Sequence, residues 1–146
     1  MSTFDNPVDA RADDWVGDHL RRYAETGGVE GYEMQGAPTL LLTTIGRKSG
    51  QARRTPLIYG RDGDQVLIVA SLGGAPQHPL WYLNLQANPA ARIQIKDEIL
   101  DVTARTATEE EKPRLWKIMA DIWPAYDDYQ TKTDRAIPIV ILDRVK

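Results

Sequence analysis

The chain has 146 residues, of which 42% are hydrophobic and 27% charged, and its formal net charge is −3. These values are typical of one globular domain with its own core, and the acidic balance argues against general nucleic-acid binding. The chain has no cysteine, which excludes disulfides, thiolate metal sites and a thiol nucleophile.

The N-terminal part of the chain is predicted to hold a mobile segment and then an amphipathic helix. Residues 1–11 are polar and lack the apolar run of a signal peptide. Residues 12–25 are predicted to be helical because apolar side chains recur on one stripe. That stripe contains Trp15, Val16, His19, Leu20 and Tyr23. It either faces the core of a single domain spanning 12–146 or, since two arginines flank it, lies on a membrane surface.

The rest of the chain is predicted to contain short strands and few helices. Strands are predicted at 39–45, 53–59, 65–71, 91–95, 99–105 and 137–142. Three helices are predicted: one at 80–87, one that follows a capping box at 108–111, and one at 125–130. Pro113 is expected to displace the start of the second helix. Closely spaced antiparallel strands with few helices favour a mainly β fold, a closed or partly closed small barrel with flanking helices.

The stretch 45–59 reverses the sign of the charge locally. Arg47, Lys48, Arg53 and Arg54 occur in and beside a predicted turn between two strands. Such a turn can present backbone N–H groups and a fork of cations to a phosphate or to several carboxylates. A hairpin turn with solvated charges is the alternative interpretation.

Two other places could hold a ligand. The glycines after Ser71 and Leu72 permit a close backbone approach, although a flexible turn explains them equally well. Trp123, Tyr126 and Tyr129 are interleaved with two aspartates, which predicts a half-exposed aromatic wall suited to a flat hydrophobic substrate. Packing in the core is the alternative for these rings.

No nucleophile or metal site is predicted. The chain has two histidines and lacks the GxSxG and HExxH motifs. If the protein is an enzyme, a cofactor therefore carries the reaction and the chain positions it.

Three segments of the chain resemble the deazaflavin-dependent nitroreductase family, which uses coenzyme F420. They are, in order, LLLTTIGRKSGQARRTPL, ASLGGAPQHPLWYLNLQANP and YDDYQTKTDRAIPIVIL, and the resemblance covers residues 38–142. It implies a split β-barrel like that of FMN-binding proteins. It also implies hydride transfer from reduced F420 to a quinone or a nitroaromatic acceptor.

The resemblance also implies roles for individual residues. The four cations of the stretch 45–59 and Ser49 match the motif that holds the phosphate and glutamate tail of the cofactor. Tyr126 and Tyr129, with Trp123 beside them, match aromatic residues on the substrate side. Ser71, Tyr126 and Tyr129 are the expected catalytic residues, since their hydroxyls can meet negative charge on the acceptor. The implied cofactor-binding set is Arg47, Lys48, Ser49, Arg53, Arg54, Thr55, Pro56, Ile58, Val69, Ala70, Ser71, Leu72, Leu80, Trp81, Tyr82, Asn84 and Tyr126.

The chain departs from the closest family pattern, which has tyrosine in place of Ile58 and Trp123 and lysine in place of Leu72. Two other functions are open: an FMN-dependent split-barrel reductase and a non-catalytic carrier of F420. The expected location is the cytoplasm, or the inner face of the membrane if residues 12–25 lie on lipid. The sequence does not set the oligomeric state.

Overall fold

A computed structural model describes residues 4–9, 15–34 and 36–145, and for Trp15 and Val16 it describes the backbone alone. The strands are β1 (Val8–Asp9), β2 (Glu33–Met34), β3 (Ala37–Ile45), β4 (Ala52–Ile58), β5 (Gly60–Asp62), β6 (Gln65–Val69), β7 (Ala90–Ile95), β8 (Glu98–Thr106) and β9 (Ile139–Arg144). The helices are α1 (Trp15–Thr26), α2 (Leu80–Ala87), α3 (Lys112–Ile122) and α4 (Ala125–Thr131), with a short 3₁₀ turn at Leu72–Gly74.

All the described strands belong to one sheet that does not close into a complete barrel. Its order is β1-β4-β3-β7-β8-β9-β6-β5, and β2 pairs with β3 off this path. Every pairing is antiparallel except that of β1 with β4. The predicted mainly β fold with flanking helices is confirmed.

The inner face of the sheet carries the main core, and the predicted period of two is confirmed there. Ile93 and Ile95 are buried, whereas Arg92 and Gln94, which alternate with them, are partly exposed. Each fully buried Leu or Ile contributes about 1.5–3 kcal/mol to folding relative to an exposed one.

Strand β6 is buried on both faces, as its continuous apolar run predicts. Val66 and Ile68 belong to the inner cluster, whereas Leu67 and Val69 belong to a second cluster under α3 and α4. The strand therefore sits between the sheet interior and these two helices, and it ends beside α4.

Helix α1 packs its described apolar side chains on the outer face of β3. Leu20, Tyr23 and Leu41 form a buried cluster, and the Tyr23 hydroxyl accepts the Lys96 N–H at 2.6 Å. This arrangement supports the core-facing interpretation, although residues 12–14 and the side chains of Trp15 and Val16 lie outside the described part. Within the described ranges no helix is long and apolar enough to cross a membrane.

The N-terminal residues 4–9 lie along the outer face of the sheet. β1 pairs in parallel with β4, matching Val8 with Arg53 and Asp9 with Arg54. A two-residue strand has no periodic signal, so patterning does not predict it. The remaining residues of the predicted mobile segment 1–11 lie outside the described ranges.

Helix α3 begins directly after the capping box formed by Thr108 and Glu111, with Pro113 in its first turn. Thr108 N–H donates to Glu111 Oε1 at 3.0 Å, and Glu111 N–H donates to Thr108 Oγ1 at 3.2 Å. The regular helix starts one residue later, so Pro113 falls in its first turn, where an N–H needs no partner. The predicted displacement of the start is confirmed.

Candidate active site

The basic turn between β3 and β4 is a tight loop fixed by its own backbone. Gly46 N–H donates to Gln51 O at 2.9 Å and Gly50 N–H donates to Gly46 O at 2.8 Å. Gly50 has a φ of 70°, a left-handed conformation that favours glycine. The turn therefore holds the cations beside it in a defined place.

Beside this turn is a cleft of about 350 Å³, called here the anion cleft. It is lined by Gly46, Arg47, Lys48, Ser49, Arg53, Leu80 and Asn84. Within the described ranges no carboxylate lies within ion-pair distance of its three cations. Unpaired cations in an acidic protein leave this cleft prepared for an anionic ligand.

Asn84 braces the basic turn against α2. Its side chain is 4% exposed, its Oδ1 accepts the Arg47 N–H at 3.1 Å, and its Nδ2 donates to Thr44 Oγ1 at 3.2 Å. The residue therefore does more than line the cleft, because it fixes the backbone that carries Arg47.

The variant Asn84→Ala should lower the free energy of unfolding by about 1–3 kcal/mol, because it removes the buried hydrogen-bond partner of the Arg47 N–H and of the Thr44 hydroxyl. Thermal and urea unfolding measure this effect. Gln86→Ala, at an exposed position of α2, is the control and should change stability little. Equal stability of the two variants would show that the brace does not exist.

Arg53 and Arg54 are neighbours on β4 but point to opposite faces of the sheet. Arg53 lines the anion cleft, whereas Arg54 makes two bonds to the Asp9 carboxylate, at 2.7 and 3.1 Å. Arg54 is register partner to Thr43, on the outer face where the N-terminal residues lie. The resemblance assigns both arginines to the cofactor motif, but the structure brings only Arg53 to the cleft.

A second cleft of about 290 Å³, called here the aromatic cleft, opens at the end of β4. It is lined by Met34, Pro56, Leu57, Ile58, Val69, Ser71, Gly73, Trp123, Tyr126 and Tyr129. Seven of these ten are among the predicted site residues, and Gly73 is one of the glycines expected to permit a close backbone approach. Met34 and Leu57 were missed, because an isolated apolar residue gives no functional signal.

Of the three aromatic residues predicted to form a half-exposed wall, Trp123 and Tyr129 are partly exposed and line the aromatic cleft, but Tyr126 is buried. Tyr126 is only 5% exposed, because α4 turns Asp127 and Asp128 to solvent and Tyr126 into the cluster under α3 and α4. Tyr129 is partly buried, and its ring meets that of Tyr126 edge to face at 6.1 Å. The interleaved aspartates thus mark the outer side of a helix.

The hydroxyl of Tyr126 is available to a ligand. Within the described ranges it has no hydrogen-bond partner, whereas the Tyr129 hydroxyl accepts the Trp123 Nε1–H at 3.4 Å. Burial, and next the neighbouring Tyr129, raise the pKa of Tyr126. It therefore stays protonated and can donate a hydrogen bond in the cleft.

Besides Arg54, five of the predicted cofactor residues line neither cleft. Ala70 and Tyr82 are buried in the inner core, and the Tyr82 hydroxyl bonds Thr106 Oγ1 at 2.8 Å. Leu72 is 49% exposed. The other two, Thr55 and Trp81, are partly buried, and Trp81 packs against the inner core.

The two clefts lie along one strand. Arg53 lines the anion cleft, and Pro56 to Ile58 line the aromatic cleft three to five residues further on. At about 3.3 Å per residue this separates them by about 10–17 Å. An elongated ligand with an anionic end and a flat end matches this spacing.

A larger cleft, of about 650 Å³, lies elsewhere, between residues 27–33 and the turn after β7. Its charged lining residues are Glu33, Lys96 and Asp97, and the Lys96 ammonium lies over the Tyr32 ring at 4.6 Å. It holds one cation together with two carboxylates, and one aromatic ring, so it lacks the cluster of cations and the cluster of rings that make the smaller clefts the candidate site.

Comparison with known proteins identifies the family of this chain. Residues 15–144 match the family described as F420H(2)-dependent quinone reductase. An F420H(2)-dependent quinone reductase of Mycobacterium tuberculosis (strain ATCC 25618 / H37Rv) is 44% identical over 130 residues, which cover 86% of this chain and 87% of that protein.

Two solved structures are also similar. An F420-H2 dependent reductase is 45% identical, with a TM-score of 0.68, and the match covers 73% of this chain and 94% of that one. A structure described as a domain-swapped dimer is 42% identical, with a TM-score of 0.71 and coverage of 89% and 98%. These neighbours confirm the predicted split-barrel type of fold.

Proposed function

Because the chain belongs to the F420H(2)-dependent quinone reductase family, we propose that it transfers a hydride from reduced coenzyme F420 to a quinone. The observation that carries this proposal is the arrangement of unpaired cations and a ring-lined cleft along one strand. It meets the needs of a cofactor with a charged tail and a flat ring.

The anion cleft fits the phosphate and glutamate tail of F420. Arg47, Lys48 and Arg53 provide charges that no carboxylate of the described ranges neutralises. Ser49 adds a hydroxyl, and an arginine can bind a phosphate or carboxylate with two parallel bonds. This cleft would hold the tail and leave the ring free to reach the end of β4.

The aromatic cleft fits the ring and the acceptor. Bound reduced F420 supplies a hydride from its deazaflavin ring, and the acceptor takes this hydride and a proton. Ile58, Val69 and Trp123 give the cleft apolar walls, and a hydrogen bond made against apolar walls is stronger than one made in water. The free Tyr126 hydroxyl and Ser71 can meet the negative charge that develops on the acceptor.

We extend the proposal to nitroaromatic acceptors. A nitro group resembles a quinone in that it lies on a flat ring and gains negative charge on oxygen. The same contacts with the ring and the same hydroxyl would serve both acceptors. Reduction of both by one preparation, with a shared loss in Tyr126 variants, would support a single site.

Purified protein is expected to bind F420 well and FMN poorly, because three cations suit a longer anionic tail than a single phosphate. Affinity for F420 should also fall as salt rises from about 0.05 to 0.5 M, since exposed charges are screened. Fluorescence titrations with both cofactors measure this. Equal affinity for F420 and FMN would favour an FMN-dependent reductase.

Turnover decides between an enzyme and a carrier. Oxidation of reduced F420 is followed by absorbance, with and without menadione, and a member of the proposed class should show oxidation that depends on the quinone. Tight F420 binding without turnover on any quinone or nitroaromatic would instead indicate a non-catalytic carrier of F420.

A further inference from the structure

Arg135 lies in the connection between α4 and β9, outside both clefts, and its guanidinium reaches across to the segment that follows β6. Nε donates to Ala75 O at 2.9 Å, Nη2 to Ser71 O at 2.8 Å, and Nη1 to Ala70 O at 3.2 Å. One planar fork thus binds three carbonyls of the 70–75 segment.

Arg135 is itself held by α4. The Gln130 side chain donates to Arg135 O at 2.8 Å and accepts the Ile137 N–H at 2.9 Å. The 70–75 segment also packs directly on this helix, because a Cβ at Gly74 would lie 2.6 Å from Tyr129 O. Helix α4, Arg135 and the segment therefore form one connected unit.

The direction of the N–H groups in the segment follows from the carbonyls that Arg135 binds. In a trans peptide the C=O of one residue and the N–H of the next point in opposite directions. With the carbonyls of Ala70 and Ser71 on Arg135, the N–H groups of Ser71 and Leu72 point away from it. Within the described ranges these two N–H groups and that of Gly73 have no hydrogen-bond partner.

The backbone conformation makes these N–H groups converge. Ser71 is right-handed, with φ −83° and ψ −39°, and Leu72 and Gly73 are left-handed, with φ of 45° and 63°. This succession is the nest conformation, whose N–H groups surround an anionic atom. A left-handed leucine is strained, and such strain persists where the surroundings enforce it. Ser71 and Gly73 line the aromatic cleft.

We propose that Arg135 is a positioning residue: by holding the carbonyls of Ala70 and Ser71 it aims the nest at an oxygen that carries negative charge in the aromatic cleft. That oxygen belongs to the ring of bound F420 or to the reduced acceptor, and to this extent the inference rests on the proposed function. A carbonyl that accepts a hydrogen bond also polarises its peptide, which strengthens the N–H as a donor.

The variant Arg135→Lys tests this role, because lysine keeps the charge but lacks the planar fork whose three nitrogens reach three separate carbonyls and His78. We expect kcat for menadione to fall about tenfold or more, with KM and F420 affinity within about threefold of wild type. If the oxygen belongs to the ring, the absorption spectrum of bound F420 shifts without any acceptor. If it belongs to the acceptor, kcat alone changes. Arg144→Lys, an exposed arginine outside both clefts, is the matched control.

His78 reports whether the contact has been broken, independently of activity. Arg135 Nη1 donates to His78 Nδ1 at 3.1 Å, so the neutral imidazole carries its proton on Nε2. Burial, and next the charge of Arg135, lower the pKa of His78, whose ring also contacts that of Tyr82, with the ring centroids 4.8 Å apart and the planes tilted by 50°. Because the bond favours the neutral form, its loss should raise the pKa of His78, which an NMR titration measures.

An Arg135→Lys protein in which the pKa of His78 rises while both kcat and the spectrum match wild type would overturn the proposal. If that variant does not fold, Gln130→Ala loosens Arg135 from its other side and is judged by the same measurements. A wild type that binds F420 but reduces no acceptor would refute the proposed function. In that event an unchanged spectrum of F420 bound to the variant would refute the role of Arg135 separately.

Discussion

Arg53→Ala is expected to weaken F420 binding by about 1–3 kcal/mol, or about 5- to 150-fold, because it removes a charge-assisted contact to the cofactor tail. Arg54→Ala removes the same side chain one residue further along β4. It should leave the affinity within about twofold, since Arg54 is bound to Asp9 on the other face. The pair is matched in substitution, charge and strand, and differs in the face of the sheet and therefore in what the guanidinium contacts.

Stability should respond in the opposite way. Arg53 is exposed and without an ion-pair partner in the described ranges, so its removal should change the melting temperature little. Arg54→Ala leaves the partly buried Asp9 carboxylate without its two bonds and should cost about 1 kcal/mol. F420 titration and thermal unfolding of both variants decide the matter. Equal losses of affinity would place both arginines on the cofactor.

The strands were predictable because their signal is local. Ile93 and Ile95 alternate with polar residues, and the unbroken apolar run of β6 predicts burial on both faces. Period and burial follow from the side chains themselves, so no long-range information is required. The basic turn was predictable for a similar reason, since its cations and glycines are close in sequence.

The different fates of Arg53 and Arg54 were not predictable from local pattern. The partner of Arg54 is 45 positions earlier in the chain, on a strand of two residues. Nothing in the composition of that stretch indicates pairing. Which of two adjacent cations remains free is decided by tertiary contacts that a linear motif does not contain.

Arg135 illustrates the same limit. In sequence it stands between Asp134 and Ala136, in the connection between the helix predicted at 125–130 and the strand predicted at 137–142. The four hydrogen bonds of its guanidinium all go to residues 57 to 65 positions away. Three of them are accepted by backbone carbonyls, and because every residue has a carbonyl, the identity of the accepting residue does not indicate the contact. The role appears only when the two loops are placed together.

Tyr126→Phe is expected to lower kcat for menadione about tenfold or more, a rise of about 1.4 kcal/mol in the barrier, with F420 affinity within a few-fold of wild type. The change removes one hydroxyl that has no partner in the described ranges and keeps the ring in the cluster under α3 and α4. Tyr126→Ala would confuse the measurement, since deleting a buried ring costs about 3–5 kcal/mol of stability.

Tyr23→Phe is the matched control, because it removes another tyrosine hydroxyl from a fully buried ring, on α1 and outside both clefts. It should leave kcat unchanged. A Tyr126→Phe enzyme as fast as wild type would show that this hydroxyl does not meet the acceptor. A large loss of F420 affinity would instead place Tyr126 on the cofactor.

The pH dependence of the same pair tests how the hydroxyl acts. Burial raises the pKa of Tyr126 above its usual value of 10.0, so the phenol remains protonated even where an exposed tyrosine would ionise. If Tyr126 donates a hydrogen bond without losing its proton, the ratio of wild-type to Tyr126→Phe rates should be constant from about pH 6 to pH 9.5. A ratio that falls towards 1 as pH rises in this range would mean that the phenol ionises there, which contradicts a donor kept protonated by burial.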